Sequence, residues 1–447
     1  MIAETQHTRP NLSKNIFVFG LSILGYLILL FFTPRNQFFL TYSLFIGLFI
    51  LYWIVIKKSD IFSFRSCLIF AFIFRAIAMF SMPALSDDFF RFIWDGQMLN
   101  MHINPFAFTP DNFIASHHDT YLTYLHGHMN SAEYFTIYPA VLQYIFYVSA
   151  KLFPTSVYGS IVVLKSFILL SEFGTAIFLY KYAKLKKINP RNILWFILNP
   201  LVIVELTGNV HFEAVMIFFL VAMFYFLEVN KILIPAFCWA LAICAKLLPL
   251  MLAPLLLMYL GINKFLKFGL ITLICLIILF IPLIDNSLLN IQYSVGKFYD
   301  LFEFNASFYY FFNFIYGLYS NEDISEIIAK LLGIFSIIII LFISFFKFNK
   351  KLVLTRGLEV YTVYLFCATM VHPWYIITLI AFMPFTKYRF PIVFSILIPL
   401  SYFSYSLNIF EENMWMILLE YGLLFSYILF EIKCPKISND LFMLVDN

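Results

Sequence analysis

Long apolar runs follow one another along almost the whole chain. Most are about 17 to 25 residues long, enough for a helix to cross a hydrocarbon layer about 30 Å thick. Of the 447 residues, 62% are hydrophobic and only 12% are charged, which is about half the charged share of an ordinary soluble domain. We therefore expect a protein that crosses a membrane many times, with membrane lipids around it and no nucleic acid as a partner.

The predicted fold class is all-α. We expect a polytopic membrane helix bundle of about 14 transmembrane helices with further juxtamembrane helices on the outer side. The whole chain, residues 1–447, is predicted to be a single transmembrane domain. The apolar runs that could span are residues 15–33, 37–56, 64–82, 158–180, 192–208, 211–229, 232–248, 249–260, 268–284, 328–346, 357–371, 375–386, 390–407 and 414–431.

Basic residues set the predicted orientation. If the N-terminus is cytoplasmic, most of the 29 lysines and arginines fall in cytoplasmic segments, which is the usual bias of membrane proteins. The C-terminus is then cytoplasmic too, and the long loop of residues 83–135 lies outside. A full crossing by residues 137–153 would move the basic cluster at 181–191 outside, so we expect this segment to be interfacial or re-entrant. Residues 307–319, which are rich in aromatic side chains, are predicted to form a second interfacial helix.

The outer loop opens with a dense polar motif, SDDFFRFIWDGQMLNMHINP, at residues 86–105. Its first residue is a favourable N-cap, which predicts a helix that begins there and ends near the Asn-Pro pair. On that helix Asp88, Arg91 and Asp95 share one face, and Asp87 has the i, i+4 spacing of an ion pair with Arg91. One alternative is that the acids only complement the helix dipole and Arg91 pairs with them.

Other polar residues fall at the same predicted membrane level. They come from separate parts of the chain. Seven of the eight histidines, all but His7, are also predicted to lie on the outer side. Distant segments would therefore bring carboxylates, a lysine and histidines together, which indicates a functional site at the outer interface. The residues concerned are Asn209, His211 and Glu213 in one turn, Lys246 near the end of a span, and His372 and Trp374 in a later turn.

Each of these features has a structural alternative. Lys246 can extend toward the outer headgroups, and His372 with Trp374 can form an interfacial turn. Lys165 and Glu172, seven residues apart in one span, can be a buried ion pair. The polar outer-loop residues match no compact metal site, which favours a solvated loop; they are His117, His118, Asp119, His126, His128 and Glu133.

This arrangement places acid, base and lipid at one membrane surface. An ionised carboxylate can take the proton from an acceptor hydroxyl as it attacks, and basic side chains can stabilise the charge on a departing phosphate. A cleft beside the membrane suits a donor with a long lipid. The alternative is a membrane transporter or lipid flippase with a charge relay through Lys165, Glu172 and Glu205, but transporters distribute such residues across the midplane of two similar halves.

The run at residues 86–111 resembles the first outer loop of the GT-C type glycosyltransferases that use polyprenyl-phosphate sugars. It is particularly similar to the bacterial mannosyltransferase-like group related to glycosyltransferase family 87. Further matches follow in order along most of the chain: IYPAVLQ at 137–143, NPLVIVELTGNVHFEAVMIFFL at 199–220, KLLPLMLAPLL at 246–256 and HPWY at 372–375.

The resemblance implies an inverting glycosyltransferase. One of Asp87 and Asp88 would be the general base, with Asp87 the first choice, and the other would serve in binding or metal contact. Arg91, Lys246 and His372 would contact the donor phosphate. A divalent cation is optional in this class, so no cofactor is assigned. The residues expected to shape the substrate pocket are Asp95, Asn104, Tyr138, Gln143, Asn209, His211, Glu213 and Trp374.

The predicted function follows from these roles. We expect the protein to move a hexose, with mannose as the expected sugar, from a polyprenyl-phosphate donor to a glycan or lipid acceptor. The reaction is expected on the non-cytoplasmic face of the membrane, and the resemblance favours a bacterial inner membrane.

Overall fold

The computed structural model describes residues 12–292, 294, 296, 302–406 and 411–442. Throughout these residues the regular elements are helices, and an isolated backbone bridge of β type joins Phe304 to Met370. The predicted all-α class is confirmed.

The α-helices differ widely in length, and short 3₁₀ or π segments extend or interrupt several of them. The α-helices are α1 (Leu12–Leu27), α2 (Phe38–Lys57), α3 (Phe64–Met79), α4 (Asp88–Asn100), α5 (Pro110–Ile114), α6 (Thr120–His126), α7 (Ala140–Leu152), α8 (Val157–Lys186), α9 (Leu194–Ile197), α10 (Pro200–Val202), α11 (Glu213–Glu228), α12 (Leu233–Ala245), α13 (Ala253–Leu260), α14 (Ile262–Phe280), α15 (Phe308–Gly317), α16 (Ser325–Phe345), α17 (Val353–Cys367), α18 (Ile377–Phe382), α19 (Phe390–Leu397), α20 (Met414–Lys433) and α21 (Pro435–Phe442). The π segments are Ile28–Phe32 and Ile203–Gly208, and the 3₁₀ segments are Pro190–Ile193, Leu248–Leu252, Ile281–Leu283, Asn286–Leu289, Lys350–Leu352, Pro373–Ile376, Met383–Phe385 and Ile398–Tyr405.

Six helices in the described part of the chain are long and apolar enough to cross a membrane. A seventh span results if Pro200–Gly208 and Glu213–Glu228 count as one, although a bend of 116° separates them. The chain is therefore an integral membrane protein of several spans, and the expected number of about 14 is not confirmed. The six helices are Asn15–Phe32, Phe38–Lys57, Val157–Lys186, Ile262–Leu283, Ser325–Phe345 and Met414–Lys433.

Proline explains why several apolar runs fall short of a full span. Pro249, Pro373 and Pro399 each lie in the first turn of a 3₁₀ segment, because proline lacks the N–H group that a continuous helix needs. The shorter apolar helices have 10–17 residues, and at 1.5 Å per residue they reach at most about 26 Å. Hydropathy counts apolar length but does not detect such breaks.

The acidic motif forms α4. This helix begins at Asp88, with Asp87 as its N-cap residue, and ends at Asn100 rather than near residue 104. Ser86 is therefore not the N-cap, although its hydroxyl accepts a hydrogen bond from the Asp88 amide at 3.3 Å. The expected start is wrong by one residue and the expected end by about one turn.

Helix α7 packs along α4 at close range. Gly96 lies at the contact, where an added Cβ atom would sit only 2.2 Å from the carbonyl oxygen of Phe146, so only glycine permits this approach. With 13 residues, α7 is about 20 Å long and too short to cross a bilayer alone. Residues 137–153 and 307–319 thus contain the predicted helices, and their interfacial position stays a prediction.

Three buried charges within the apolar helices, Arg75, Lys165 and Glu172, are bound to other protein groups. Arg75 Nε lies 2.7 Å from Glu172 Oε1, and the Thr207 hydroxyl donates to the other carboxylate oxygen. Lys165 Nζ donates to the carbonyl oxygen of Ser81 at 2.7 Å, just beyond the end of α3. A Lys165–Glu172 ion pair is therefore wrong: Glu172 pairs with Arg75, and Lys165 satisfies carbonyl groups at a helix C-terminus.

Candidate active site

Asp87 and Asp88 are neighbours in sequence but have different partners. Asp87 Oδ2 lies 2.5 Å from Nη1 of Arg35, and both side chains are partly exposed. The half-buried Asp88 accepts a long hydrogen bond, 3.5 Å, from the amide of Asn130. The first acid is thus held by a cation from the turn between α1 and α2, whereas the second faces the outer loop.

The turn after the π segment Ile203–Gly208 holds the chain that leads into α4. Asn209 Oδ1 accepts hydrogen bonds from the backbone N–H groups of Ala84 at 3.2 Å and Leu85 at 3.1 Å. The amide nitrogen of Asn209 donates to Glu205 Oε1 at 3.1 Å. Asn209 therefore fixes the backbone directly before the acidic pair, which is a positioning contact rather than a ligand contact.

His211 and the turn of residues 372–375 meet through stacked rings. The His211 ring lies 3.6 Å from the ring of Trp374 and nearly parallel to it, at 15°. Trp374 is also parallel to His372, at 4.3 Å and 5°, and His372 stacks with Phe304 at 4.8 Å. We call these four side chains the ring stack. It joins two turns that are about 160 residues apart in sequence and so brings two predicted site regions together.

Lys246 follows the C-terminus of α12 and pairs with Glu213 at the start of α11. The Nζ to Oε1 distance is 2.5 Å, with 22% of the lysine side chain and 1% of the glutamate side chain exposed. The ammonium also lies 5.5 Å from the ring centre of Tyr375. Because an ammonium has three N–H donors, this pairing leaves the partly exposed Lys246 able to bind a further anion.

Asp88 lies within electrostatic reach of both groups. Burial raises the pKa of the Asp88 carboxyl above its ordinary value of 3.8, the positive charges of His211 and Lys246 oppose that rise, and Glu213 adds to it. Four predicted site residues thus share one environment: Asp88, His211, Glu213 and Lys246.

His372 belongs to the same environment but cannot carry charge there. Burial lowers the pKa of its imidazole from 6.5 to about 3, and the charges of His211 and Lys246 lower it further. The ring is therefore neutral at physiological pH, and it can offer one N–H donor and one acceptor nitrogen. Any contact with a phosphate would be a hydrogen bond from an uncharged N–H donor to the anion.

Arg91 and Asp95 form a buried network within the protein. Arg91 Nε lies 2.8 Å from Asp95 Oδ1, and its Nη1 donates to the carbonyl oxygen of Ser131 at 2.9 Å. The other oxygen of Asp95 accepts from the Thr136 hydroxyl at 2.5 Å and from the Gln143 amide at 3.1 Å. The expected pair of Arg91 with Asp87 is therefore wrong. This network ties the end of the outer loop to α4, and the ligand-binding roles of its members stay predictions.

Tyr138 and Asn104 lie in different places. Burial raises the pKa of the Tyr138 phenol, and the negative charge of Asp88 contributes, so this ring lies close to the acidic motif. Asn104 instead donates to the carbonyl oxygen of Leu283 at 3.0 Å and accepts from the amide of Phe106 at 3.1 Å. Tyr138 is thus placed to line a pocket, whereas Asn104 ties the loop after α4 to the end of α14.

The histidines of the outer loop have local partners. His126 Nε2 lies 2.6 Å from Asp111, and the His117 ring stacks on Phe113 at 4.1 Å. Across the described residues, no three His, Cys, Asp or Glu side chains are grouped so that they could hold a metal ion.

The sequence analysis missed Arg35 as a residue of the site, and it considered Glu205 only within the transporter alternative. Arg35 binds Asp87, and its signal was available: it is a lone arginine in the short turn between the first two predicted spans. Glu205 binds Asn209, and an acid inside an apolar run is a recognised sign of function. The contact of Glu205 with Asn209 could not be predicted from their spacing in the sequence, because it depends on the backbone geometry of the π segment.

Comparison with known families places the chain among sugar transferases. The family model described as alpha-(1->6)-mannopyranosyltransferase, N-terminal domain, matches residues 22–261, just over half of the chain. The matched part contains the acidic motif, the Asn209 turn and Lys246, and it ends well before the His372 turn. No curated protein matches the chain.

Proposed function

The chain belongs to the MptA_B family of alpha-(1->6)-mannopyranosyltransferases, and from this membership we propose that it transfers mannose from a polyprenyl-phosphate donor to a glycan or lipid acceptor. The proposed linkage is the α-1,6 bond named in the family's description. The proposed reaction occurs with inversion at C1 on the non-cytoplasmic face of a bacterial inner membrane. Inversion to an α-linkage requires a donor in which mannose is β-linked to phosphate.

The observation that carries this proposal is the meeting of Asp88 with His211, Lys246 and Glu213. These residues come from helix ends that are distant in sequence, and they combine two acids, one of them paired with Lys246, with two basic side chains. An acid without a strong ion pair suits proton abstraction, and a partly exposed lysine suits an anion.

In the proposed step the acceptor hydroxyl oxygen attacks C1 of the mannosyl group. Asp88 takes the hydroxyl proton, the C1–O bond to phosphate breaks, and its electron pair leaves with the polyprenyl phosphate. Lys246 stabilises the negative charge that develops on the phosphate, and neutral His372 adds a hydrogen bond.

We favour Asp88 over Asp87 as the base. Asp87 is held by Arg35 at 2.5 Å, so its carboxylate is stabilised in a surface ion pair. Burial raises the pKa of Asp88, which makes it the stronger base of the two once it is ionised. We place Asp87 and Arg35, which are partly exposed, at the solvent side of the site. Arg91 is assigned to the buried network with Asp95 and not to the donor phosphate.

Membranes from cells that express the protein test the proposal directly. Radiolabelled mannose is offered as the polyprenyl-phosphate form and, in parallel, as a nucleotide sugar. We expect transfer only from the lipid-linked donor and a loss of about 10²- to 10⁴-fold in the Asp88→Asn variant.

Asp119→Asn is the matched control, because Asp119 only caps α6 by accepting from the Leu122 amide at 2.8 Å, and asparagine caps equally well. The double variant Asp87→Asn/Asp88→Asn should insert normally and be inactive. Full activity in that double variant would overturn the proposed mechanism.

A further inference from the structure

Glu205 lies inside the protein beside the site and is fully shielded from solvent, with 0% of its surface exposed. Its Oε1 atom accepts hydrogen bonds from the Asn209 amide at 3.1 Å and from the Tyr402 hydroxyl. Its Oε2 atom makes no hydrogen bond and lies 3.3 Å from Nδ1 of His211. One carboxylate thus contacts two different residues of the candidate site.

The first contact controls the segment before the acidic pair. The Asn209 side chain is a planar amide, so when its nitrogen is held by Glu205 its oxygen is fixed as well. That oxygen receives the N–H groups of Ala84 and Leu85. A rigid relay therefore runs from Glu205 through Asn209 to the backbone two residues before Asp87.

The second contact controls the imidazole of His211. Nδ1 lies 2.8 Å from the backbone carbonyl oxygen of Glu205, and since a carbonyl can only accept, Nδ1 carries the hydrogen. The Nε2 atom at the opposite side of the ring is buried and makes no hydrogen bond. The backbone carbonyl and the carboxylate of Glu205 both face Nδ1 and so fix the orientation of a ring that lies within electrostatic reach of Asp88.

The backbone explains why residues 205, 209 and 211 reach one point. In the π segment Ile203–Gly208 each backbone N–H bonds to the carbonyl five residues earlier instead of four. The backbone N–H of Asn209, for example, donates to the Val204 carbonyl at 2.9 Å. Val210 then takes a left-handed conformation with φ of 65°, which a β-branched residue rarely adopts. Such local strain persists where the surrounding structure enforces it.

Glu172 provides an internal comparison. It is also a buried carboxylate next to the π segment, but its oxygens are taken by Arg75 and Thr207. Neither partner belongs to the candidate site. Burial alone thus does not explain the placement of Glu205.

We infer that Glu205 is a positioning residue of the transfer site, a single carboxylate that sets both the approach of the acidic pair and the orientation of His211. The inference rests on the proposed function and extends it to a residue that touches neither substrate. Because Lys246 and Glu213 hold each other, donor binding should be largely independent of Glu205.

The test compares Glu205→Gln and Glu205→Leu with Glu172→Gln, and kcat is expressed per folded, monodisperse protein. The glutamine oxygen can still accept from Asn209, whereas leucine removes both contacts of the carboxylate, to Asn209 and to His211, and keeps only the backbone carbonyl that faces Nδ1. We expect kcat to fall about 10- to 100-fold in Glu205→Leu, with partial rescue in Glu205→Gln and a donor KM within about twofold of wild type. Glu172→Gln should lose folded protein while keeping kcat per folded molecule.

Double variants separate positioning from general destabilisation. Glu205→Leu combined with Asn209→Ala should be no worse than the more damaged single variant, because both break one relay. Glu205→Leu combined with Lys246→Ala should show additive losses. A wild-type kcat in Glu205→Leu, or additive losses in both pairs, would overturn the inference.

A spectroscopic signal tests the same contact without any transfer. The emission of Trp374, obtained by subtracting the Trp374→Phe spectrum, depends on the stacked His211 ring and should change in Glu205→Leu but not in Glu172→Gln. Unchanged Trp374 emission in Glu205→Leu would count against the inference. A changed emission together with no transfer by the wild type would count against the proposed function instead.

Discussion

At the residue scale, the site depends on how two adjacent aspartates are separated by their surroundings. Asp87 forms an ion pair with Arg35, whereas the half-buried Asp88 lies within electrostatic reach of His211 and Lys246. Two like groups in unlike environments are the usual basis for assigning different chemical roles. The sequence predicts the pair of aspartates but not their different environments, because Arg35 lies 52 positions before Asp87.

The pH dependence of transfer should report the Asp88 carboxyl. Burial raises its pKa, so the group keeps its proton to a higher pH than an ordinary aspartate does. A general base must be ionised, and activity should therefore rise with pH through a limb above pH 3.8, the ordinary value. A profile of kcat/KM against pH checks this, and Asp87→Asn should keep the limb. A limb at or below the ordinary value would contradict the assignment.

His372→Phe should separate the two functions of this histidine. Phenylalanine can keep the stacking on Trp374 and Phe304 but removes both nitrogens. We expect the thermal midpoint to change little and transfer to fall about 10- to 100-fold, the size of one lost hydrogen bond to a charged group in a reacting complex. The pKa of the wild-type imidazole is lowered to about 3, so His372 does not titrate near pH 6.5. The pH profiles of transfer by the wild type and by the variant should therefore have the same shape in that range. An inflection there in the wild type alone would contradict a neutral His372.

At the element scale, the site is formed where short helices meet rather than within one long helix. The sequence predicts α4 to within a few residues, since its polar start stands out between apolar runs. It does not predict the partner of Arg91, because Asp87 and Asp95 are both four residues away. Burial decides between them: Asp95 is completely buried, and a buried acid left without a cation would be costly.

Gly96→Ala should destabilise the contact of α4 with α7. The added Cβ would lie 2.2 Å from the Phe146 carbonyl oxygen, so the helices must move apart, at a cost of about 1–3 kcal/mol. Thermal unfolding in detergent measures the effect. Gly47→Ala in α2 is the control, because nothing lies within 4 Å of its Cβ position, and it should be neutral or slightly stabilising. Equal midpoints for the two variants would refute the close contact.

Residues 302–306, which we call the strap, are held in position by an acidic residue of α20, Glu420. Asn305 donates to Glu420 at 3.0 Å and accepts at its carbonyl from Tyr421 at 2.7 Å, and the adjoining Phe304 stacks on His372. Glu420→Leu leaves the Asn305 amide without this acceptor and should cost about 1–3 kcal/mol. Glu420→Gln keeps an acceptor oxygen and should restore most of the thermal midpoint. A glutamine variant as unstable as the leucine variant would argue against this anchor.

At the scale of the whole molecule, the sequence predicts the class and the meeting of distant polar residues but not the number of spans. Hydropathy and the polar outer motif locate most of the helices, and Asp88, His211, Lys246 and Glu213 do come together. Breaks at proline, the π segment and the bend of 116° depend on packing that a single sequence does not display. The same limit applies to Glu172, whose partner is Arg75 and not Lys165.

The predicted orientation can be tested by labelling. Single cysteines at Asp119 and Lys350 should react with a membrane-impermeant maleimide from opposite sides of sealed vesicles, since one lies in the outer loop and the other in a basic segment expected to be cytoplasmic. Of the six native cysteines, Cys67, Cys238, Cys244 and Cys367 are buried, whereas Cys275 and Cys434 are partly exposed. The parent protein for labelling therefore carries Cys275→Ser and Cys434→Ser and is the control. Labelling of both positions from one side would refute the orientation.

The hydrogen bond between Tyr402 and Glu205 has a consequence for how the protein is made. These residues are 197 positions apart, and the nine-residue stretch Pro200–Gly208 is too short to cross a membrane by itself. During synthesis this stretch, with its acid, is made before Tyr402 has been translated. The acid then lacks the hydroxyl donor that it has in the finished protein until residues beyond position 402 have been made. Completion of the site is therefore a late event in biogenesis, and quality-control proteases would meet the half-made protein at this point.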